Sequence, residues 1–159
     1  MNKAIFLDRD GVINFERGYT HKLEDFVILP DVIEALQLFL QKGYLLIVIS
    51  NQSGIAKGLY KQSDTELLHH YLIDELNEHD ISLSEIYYCV HHPDVTNCIC
   101  RKPNSLFVEK AIARFNINAS HSFFIGDKER DTEAGEKVGV KGILIEANTS
   151  LKNILNLIP

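Results

Sequence analysis

The stretch that decides the fold is Ala4-Ile5-Phe6-Leu7-Asp8-Arg9-Asp10-Gly11-Val12-Ile13-Asn14. Its short apolar run predicts a buried β-strand that stops at two carboxylates, Asp8 and Asp10, with Gly11 behind them. The glycine indicates that the strand ends there, so both acids are expected at its carboxyl end. Open α/β sheets bind their ligands at that end of the strands. Taken alone, the pattern is equally typical of a strand that runs into a solvated loop.

Composition limits the possible classes of function. The chain has 159 residues, of which 45% are apolar, and a net charge of -6, which fits one soluble globular domain spanning residues 1–159. It has no lysine- or arginine-rich run, which disfavours a nucleic-acid or anionic-membrane surface. No apolar run approaches membrane-spanning length, and the first residues do not resemble a signal peptide. We therefore expect a cytoplasmic monomer.

Apolar strands alternate with amphipathic helices along the rest of the chain. Ser63 and Glu66 form a capping-box pattern at the start of the second helix, and His69, His70 and His79 are expected on its surface. The irregular segment 15–30 is long enough to be a mobile flap over the first strand. The predicted elements after that segment are helices at 31–43, 63–79, 105–115, 131–138 and 150–157, and strands at 44–49, 86–89, 122–125 and 142–145. This order predicts a parallel sheet with right-handed crossovers, covered by helices on both faces.

Three of the predicted strands end in polar residues, and in this topology those ends meet at one edge of the sheet. Carboxylates and phosphate oxygens are the ligands that Mg²⁺ prefers, and a lysine can neutralise a phosphate. Two carboxylates this close push their pKa values apart, so that one can be a nucleophile while the other carries a proton. The sequence therefore predicts a phosphoryl-transfer site. Its members are Asp8, Asp10, Ser50, Asn51, Lys102, Asp127 and Asp131.

These segments resemble, in order and over nearly the whole chain, the four motifs of haloacid dehalogenase (HAD) superfamily phosphatases. The four segments are 6–14, 50–51, 101–103 and 126–131. Within the superfamily, residues 18–21, 50–56 and 87–93 most resemble the heptose bisphosphate phosphatases, whose nearest relatives are the histidinol-phosphatases. The resemblance implies a Rossmann-like HAD fold without a large cap domain.

The resemblance also implies roles for individual residues. Asp8 would attack phosphorus and form an aspartyl phosphate, and Asp10 would act as general acid and then general base. Mg²⁺ would be held by Asp8, Asp127 and the backbone carbonyl of Asp10. Ser50 and Asn51 would bind phosphate oxygens, and Lys102 would neutralise the nucleophile and the phosphate. The implied substrate contacts are Glu16, Arg17, Gly18, Tyr19, Asn51, Gln52, Ser53, Arg101 and Lys128. Asp131 either caps the following helix, which we favour, or lies behind the metal ligands.

A second cluster consists of Cys89, His91, Cys98 and Cys100. Three thiolates and an imidazole within a dozen residues predict a tetrahedral structural Zn²⁺ site. His92 is the alternative ligand, although the family pattern selects His91. Because Cys100 directly precedes Arg101, a closed zinc-bound loop would place two cations over the phosphate.

The leaving group is the open question at this point. Only six residues separate His91 from Cys98, as in the short loop of histidinol-phosphatases, whereas the segment from Glu16 to Tyr19 matches the heptose enzymes. Arg17 could reach a second phosphate. We expect a sugar-phosphate phosphatase acting on heptose bisphosphate. A histidinol-phosphate phosphatase and a non-catalytic zinc-stabilised binding module are the alternatives, and a mutase is disfavoured because no cap excludes water.

Overall fold

The computed structural model describes residues 1–159 and contains a five-stranded sheet whose strands all pair in parallel. The strand order is β3-β2-β1-β4-β5. The strands are β1 (Lys3–Leu7), β2 (Tyr44–Asn51), β3 (Glu85–Cys89), β4 (Phe123–Gly126) and β5 (Lys141–Leu144). The crossover helices are α1 (Val32–Gln41), α2 (Gln62–Asn77), α3 (Leu106–Phe115) and α4 (Glu129–Glu136). The predicted α/β class and parallel sheet are confirmed.

The first strand lies at the centre of the sheet and divides the core into two layers. Ile5 and Leu7 belong to one buried cluster, together with residues of α1 and α2. Ala4 and Phe6 point the other way, into a cluster built with α3 and α4. Positions of a strand that are buried on both faces have to be apolar, which explains the continuous apolar run from Ala4 to Leu7.

Several helix boundaries differ from the predicted ones; α4, for example, spans Glu129–Glu136 rather than 131–138. Helix α2 begins at Gln62 rather than after Ser63, and Asp64 rather than Glu66 accepts a hydrogen bond from the Lys61 N–H, at 2.8 Å. The terminal segment Leu151–Leu157 is a 3₁₀-helix, not an α-helix. Leu151 and Ile154 are its buried residues, and their spacing of three matches the three residues per turn of a 3₁₀-helix.

His69 is also placed differently from the prediction, because it is buried, with 6% of its surface exposed, whereas His70 and His79 are exposed as expected. Its ring packs edge-on against Tyr88 of β3 and meets Arg9 behind β1. The segment between β1 and α1 has little regular structure apart from a 3₁₀ turn at Leu23–Asp25. None of the helices is long and apolar enough to cross a bilayer.

Candidate active site

The strand order brings three polar strand ends together. Asp8 follows β1, Ser50 lies near the end of β2, and Asp127 follows β4. Strands β2 and β4 both pair with β1, on its two sides. The carboxyl ends of the three strands therefore form one continuous edge, which is where the sequence predicts the site.

Lys102 is the buried cation of this edge, with 2% of its surface exposed. Its Nζ lies 2.7 Å from Asp8 Oδ1 and 2.8 Å from Asp131 Oδ1, and it donates to the Ile49 carbonyl at 2.7 Å. The Asn51 side chain fixes the backbone of residue 102 by donating to its carbonyl and accepting from its N–H, both at 3.1 Å. Asn51 thus anchors the loop that delivers the lysine.

The protonation of Asp8 and Lys102 follows from burial and from their mutual attraction. Burial raises the pKa of Asp8 to about 8; Lys102 opposes that rise, while Asp131 and Asp10 add to it. Burial alone would lower the pKa of Lys102, but Asp8 and Asp131 more than offset it, so the pKa of Lys102 is raised. The ammonium therefore stays charged at neutral pH.

Asp10 is fixed by three donors. Its Oδ1 accepts from Arg9 at 3.0 Å and from Asn14 at 2.9 Å, and its Oδ2 accepts from Gln52 at 3.1 Å. Burial would raise the pKa of Asp10, but the charge of Arg9 and these hydrogen bonds outweigh it and hold the pKa below its ordinary value. The carboxylate is thus oriented toward the site and ionised before any ligand arrives.

Asp8, Asp127 and Asp131 form an acidic cluster in which one oxygen from each lies within 4.8 Å of the others. Asp127 Oδ2 is buried and accepts no well-formed hydrogen bond, although Lys128 Nζ lies 3.0 Å away. Gly11 has a φ of +84°, and a Cβ there would come within 2.9 Å of Asp127 Oδ2. The peptide that carries the Asp10 carbonyl therefore runs beside this carboxylate. Hard oxygen donors with an orphaned buried oxygen fit Mg²⁺.

Asp131 combines a capping contact with an ion pair, although it is not the N-cap that the sequence favours. It is the third residue of α4, not the N-cap, and its Oδ2 accepts from the Lys128 N–H at 3.0 Å. Its other oxygen makes the ion pair with Lys102. A methyl group in place of the Gly126 hydrogen would come within 2.2 Å of the Asp131 Cβ, so a glycine is needed for this approach.

A cavity of about 310 Å³ opens beside Asp10, and most of the predicted substrate contacts line it: Glu16, Gly18, Tyr19, Asn51, Gln52, Ser53 and Arg101. Two predicted contacts do not. Arg17 points to Asp25, at 3.3 Å on the surface, and Lys128 pairs with Asp127. Ser50 is buried and accepts from Gln52 at 2.7 Å.

The cavity has five further lining residues that are not among the predicted substrate contacts, although His92 is the alternative zinc ligand. They are Thr20, Lys57, Tyr60, His92 and Arg130. Arg9 is a further residue without a predicted role; it does not line the cavity, but it is fully buried and donates to Asp10 and to the Thr20 carbonyl. Its position between two motif aspartates was the available signal for Arg9. Arg130 stood within the fourth motif, but nothing in the sequence distinguished it from a solvated arginine.

The cysteine and histidine cluster also assembles. Cys89 Sγ lies 3.7 Å from Cys98 Sγ, 3.2 Å from Cys100 Sγ and 3.5 Å from His91 Nδ1. A tetrahedral zinc site has edges of about 3.8 Å between sulfurs and about 3.6 Å between sulfur and nitrogen, from the usual bond lengths. Burial raises the pKa of the Cys89 thiol, so a bound cation is needed to ionise it near neutral pH. The four ligand atoms fit Zn²⁺, with His91 rather than His92 in the set.

Comparisons with known proteins agree with this geometry. A family profile described as HAD-hydrolase-like matches residues 99–156. The D-glycero-alpha-D-manno-heptose-1,7-bisphosphate 7-phosphatase of Campylobacter jejuni is 42% identical over 94% of this chain and 85% of its own length. The D-glycero-beta-D-manno-heptose-1,7-bisphosphate 7-phosphatase of Helicobacter pylori strain J99 is 43% identical over 95% of this chain and 87% of its own length.

Among solved structures, the D,D-heptose 1,7-bisphosphate phosphatase from B. bronchiseptica was crystallised in complex with magnesium and phosphate. It superposes with a TM-score of 0.85 and 26% identity, over 97% of this chain and 86% of that one. The two curated relatives act on opposite anomers, so similarity alone does not choose between them.

Proposed function

Because the chain belongs to the HAD-like hydrolase family, in the group of the heptose 1,7-bisphosphate 7-phosphatases, we propose that it removes the 7-phosphate of D-glycero-D-manno-heptose 1,7-bisphosphate. The observation that carries the proposal is the buried triad of Asp8, Lys102 and Asp131 beside Asp127. This arrangement holds the proposed nucleophile against one ammonium, and a divalent cation bound beside Asp127 would favour the ionised form of Asp8.

The proposed reaction has two steps. A carboxylate oxygen of Asp8 forms a bond to phosphorus while the bond to the sugar oxygen breaks, and Asp10 gives that oxygen a proton. Asp10 then takes a proton from water, which attacks the aspartyl phosphate and releases inorganic phosphate. Because Asp10 is ionised before a ligand binds, it takes up the proton for the first step from solvent as the substrate binds: the incoming phosphate brings negative charge beside Asp10 and raises its pKa against the effect of Arg9.

Asp8, Asp127 and the backbone carbonyl of Asp10 would hold Mg²⁺ in this proposal. When bound, Mg²⁺ supplies the charge neutralisation that lets a carboxylate approach a phosphate dianion. Lys102 adds to that neutralisation from the opposite side, and Ser50 and Asn51 offer a hydroxyl and an amide to phosphate oxygens. In the neighbouring loop, Cys89, His91, Cys98 and Cys100 would hold Zn²⁺ and keep Arg101 over the cavity.

The cationic wall of the cavity would hold the phosphate that is not hydrolysed. Arg101, Arg130 and Lys57 line it, and none of them makes an ion pair with a carboxylate. Arg130 also sits in the first turn of α4, where the helix dipole disfavours a cation. The second phosphate of a bisphosphate would neutralise these three cationic side chains. We assign this role to Arg130 instead of Arg17, which is turned toward Asp25.

The test is phosphate release from both anomers of heptose 1,7-bisphosphate and from histidinol phosphate, compared by kcat/KM. We expect a preference for a bisphosphate of at least 10²-fold, because histidinol phosphate offers the cationic wall no second anion. The short loop between His91 and Cys98 favours histidinol phosphate. Preference for histidinol phosphate would therefore reverse the choice of substrate while keeping the reaction, and no release from any of the three would overturn both.

The remaining expectations are part of the same proposal. We propose that residues 1–159 act as one domain and as a cytoplasmic monomer whose partner is the sugar phosphate alone, without nucleic acid or membrane. Support comes from the net charge of -6 and from three free thiols arranged as metal ligands, which suit a reducing compartment. Size-exclusion chromatography with light scattering tests the monomer.

A further inference from the structure

His69 is a buried histidine that the proposed chemistry does not use. It lies on α2, with 6% of its surface exposed, and Tyr88 of β3 covers its ring edge-on at a centroid distance of 5.1 Å. Its Nε2 lies 3.3 Å from Arg9 Nη1. Because an arginine has only donors, the imidazole must accept through Nε2, and therefore carries its proton on Nδ1.

The charge state of His69 agrees with this geometry. Burial and the positive charge of Arg9 lower the pKa of His69 to about 3. A neutral imidazole can accept from the guanidinium, whereas an imidazolium would repel it and could not accept. The buried contact between His69 and Arg9 is therefore favourable only while the imidazole is neutral.

Arg9 connects this histidine to the site. Its guanidinium is fully buried, and Nη2 donates to Asp10 Oδ1 and to the Thr20 carbonyl, both at 3.0 Å. The ring of Phe26 lies 5.6 Å from its central carbon. The Arg9 guanidinium thus links the Asp10 carboxylate to the backbone of Thr20, next to Tyr19, which lines the cavity.

We propose that His69 is a positioning residue that acts through Arg9, holding the guanidinium in the plane that orients the Asp10 carboxylate and the Thr20 carbonyl. The inference rests on the proposed phosphatase function and on the role of Asp10 in it. Without an acceptor at position 69, Nη1 loses its partner, and the buried guanidinium must turn to recover one. Asp10 then loses one of its three fixed donors.

The test compares His69→Leu, which removes the acceptor, with His69→Gln, which keeps an oxygen acceptor near the same place. We expect His69→Leu to lower kcat on heptose bisphosphate by about 10-fold with a smaller change in KM, because a positioned general acid contributes about 10² to 10⁴. His69→Gln should stay within about 3-fold of the wild type. The control is His70→Gln, an exposed neighbour on the same helix, which should leave both constants unchanged.

A merely structural role is separated by repeating His69→Leu in an Asp10→Asn background, with single-turnover measurements. If His69 acts through the Asp10 carboxylate, adding His69→Leu to Asp10→Asn should change the single-turnover rate of the Asp10→Asn variant less than 2-fold. The same 10-fold loss in both backgrounds, or full activity of His69→Leu, overturns the proposal. If His69→Leu does not fold, His69→Asn takes its place, since its shorter side chain cannot reach Arg9; full activity of His69→Asn would also overturn the proposal.

The wild type distinguishes the two levels of inference. If it releases no phosphate from heptose bisphosphate, the proposed function fails. If it does so normally and the His69 variants behave like the His70 control, only the positioning role fails.

Discussion

Lys102 is the one buried ammonium between two buried carboxyl groups, those of Asp8 and Asp131, and this shows how tightly single residues are coupled at the site. Three carboxylates, Asp8, Asp127 and Asp131, face one buried ammonium, so the cluster is short of positive charge. Each member therefore influences both the stability of the fold and the chemistry, in opposite directions. The gain in function comes from a charge arrangement that costs stability until a cation or a ligand arrives.

Asp8→Asn removes the nucleophile with little change of shape. We expect phosphate release to fall by roughly 10⁴-fold or more, since nothing else at the end of β1 can form the phosphoenzyme. The melting temperature should stay the same or rise, because Lys102 keeps Asp131 as its partner and the buried Asp8 side chain, with a pKa of about 8, is already mostly uncharged at neutral pH. Phosphate release and thermal unfolding of the same preparation check both halves. A large loss of stability would contradict the charge argument.

At the scale of elements, the first turn of α4 places two oppositely charged side chains, Arg130 and Asp131, at the site. Asp131 suits a helix N-terminus, because its carboxylate caps the Lys128 N–H, whereas Arg130 does not suit it. A cation in that place is explained if a ligand anion neutralises it.

We therefore expect Arg130→Gln to raise KM for heptose 1,7-bisphosphate by about 10-fold, the value of one charge-assisted contact at an exposed site. Hydrolysis of a simple aryl phosphate should be unchanged, and the melting temperature should not fall. The matched control is Arg114→Gln, an exposed arginine in the last turn of α3 that pairs with Glu85. Equal effects of Arg130→Gln on both substrates would exclude a role at the second phosphate.

The cysteine loop follows the edge strand β3, and its last residue, Cys100, leads directly into Arg101 and Lys102. Cys100→Ser should lower the zinc content, measured by atomic absorption, and turnover together. The reason is that the loop has no regular structure of its own to hold these cations. Full activity in a demonstrably zinc-free variant would break the link between the metal and the site.

The sequence predicted most elements of the sheet, because strands buried on both faces have an unmistakable apolar run and the motif residues stand at their ends. It predicted helix ends less well, since Asp64 and Glu66 compete for one cap and only the folded chain decides between them. It could not predict the burial of His69. The helical pattern treats histidine as polar, and its partner Arg9 is 60 residues away in the chain. Long-range pairs of this kind have no local signal.

For the molecule as a whole, His69 makes stability depend on pH. In the folded chain its pKa is about 3, below the ordinary value of 6.5, so between these pH values the imidazole is protonated in the unfolded chain and neutral in the folded chain. Its contribution to stability is therefore full above pH 6.5 and is lost as the pH falls toward 3. At pH 5 the loss is about 2 kcal/mol.

Urea unfolding of the wild type and His69→Gln at pH 7.5 and pH 5 isolates this contribution. The wild type should lose about 2 kcal/mol more than the variant between the two values. A variant that loses as much as the wild type would show that His69 does not resist protonation.

The sheet edge and the surrounding loops have different roles in the enzyme: the edge carries the reacting groups, and the loops form the substrate cavity. Bond breaking takes place at strand ends that the core fixes, whereas the walls of the 310 Å³ cavity are formed largely by the segments that follow β1 and β2. Because the two parts are separate, substitutions of a few cavity residues can change which leaving group is accepted. The catalytic residues at the strand ends need not change with them.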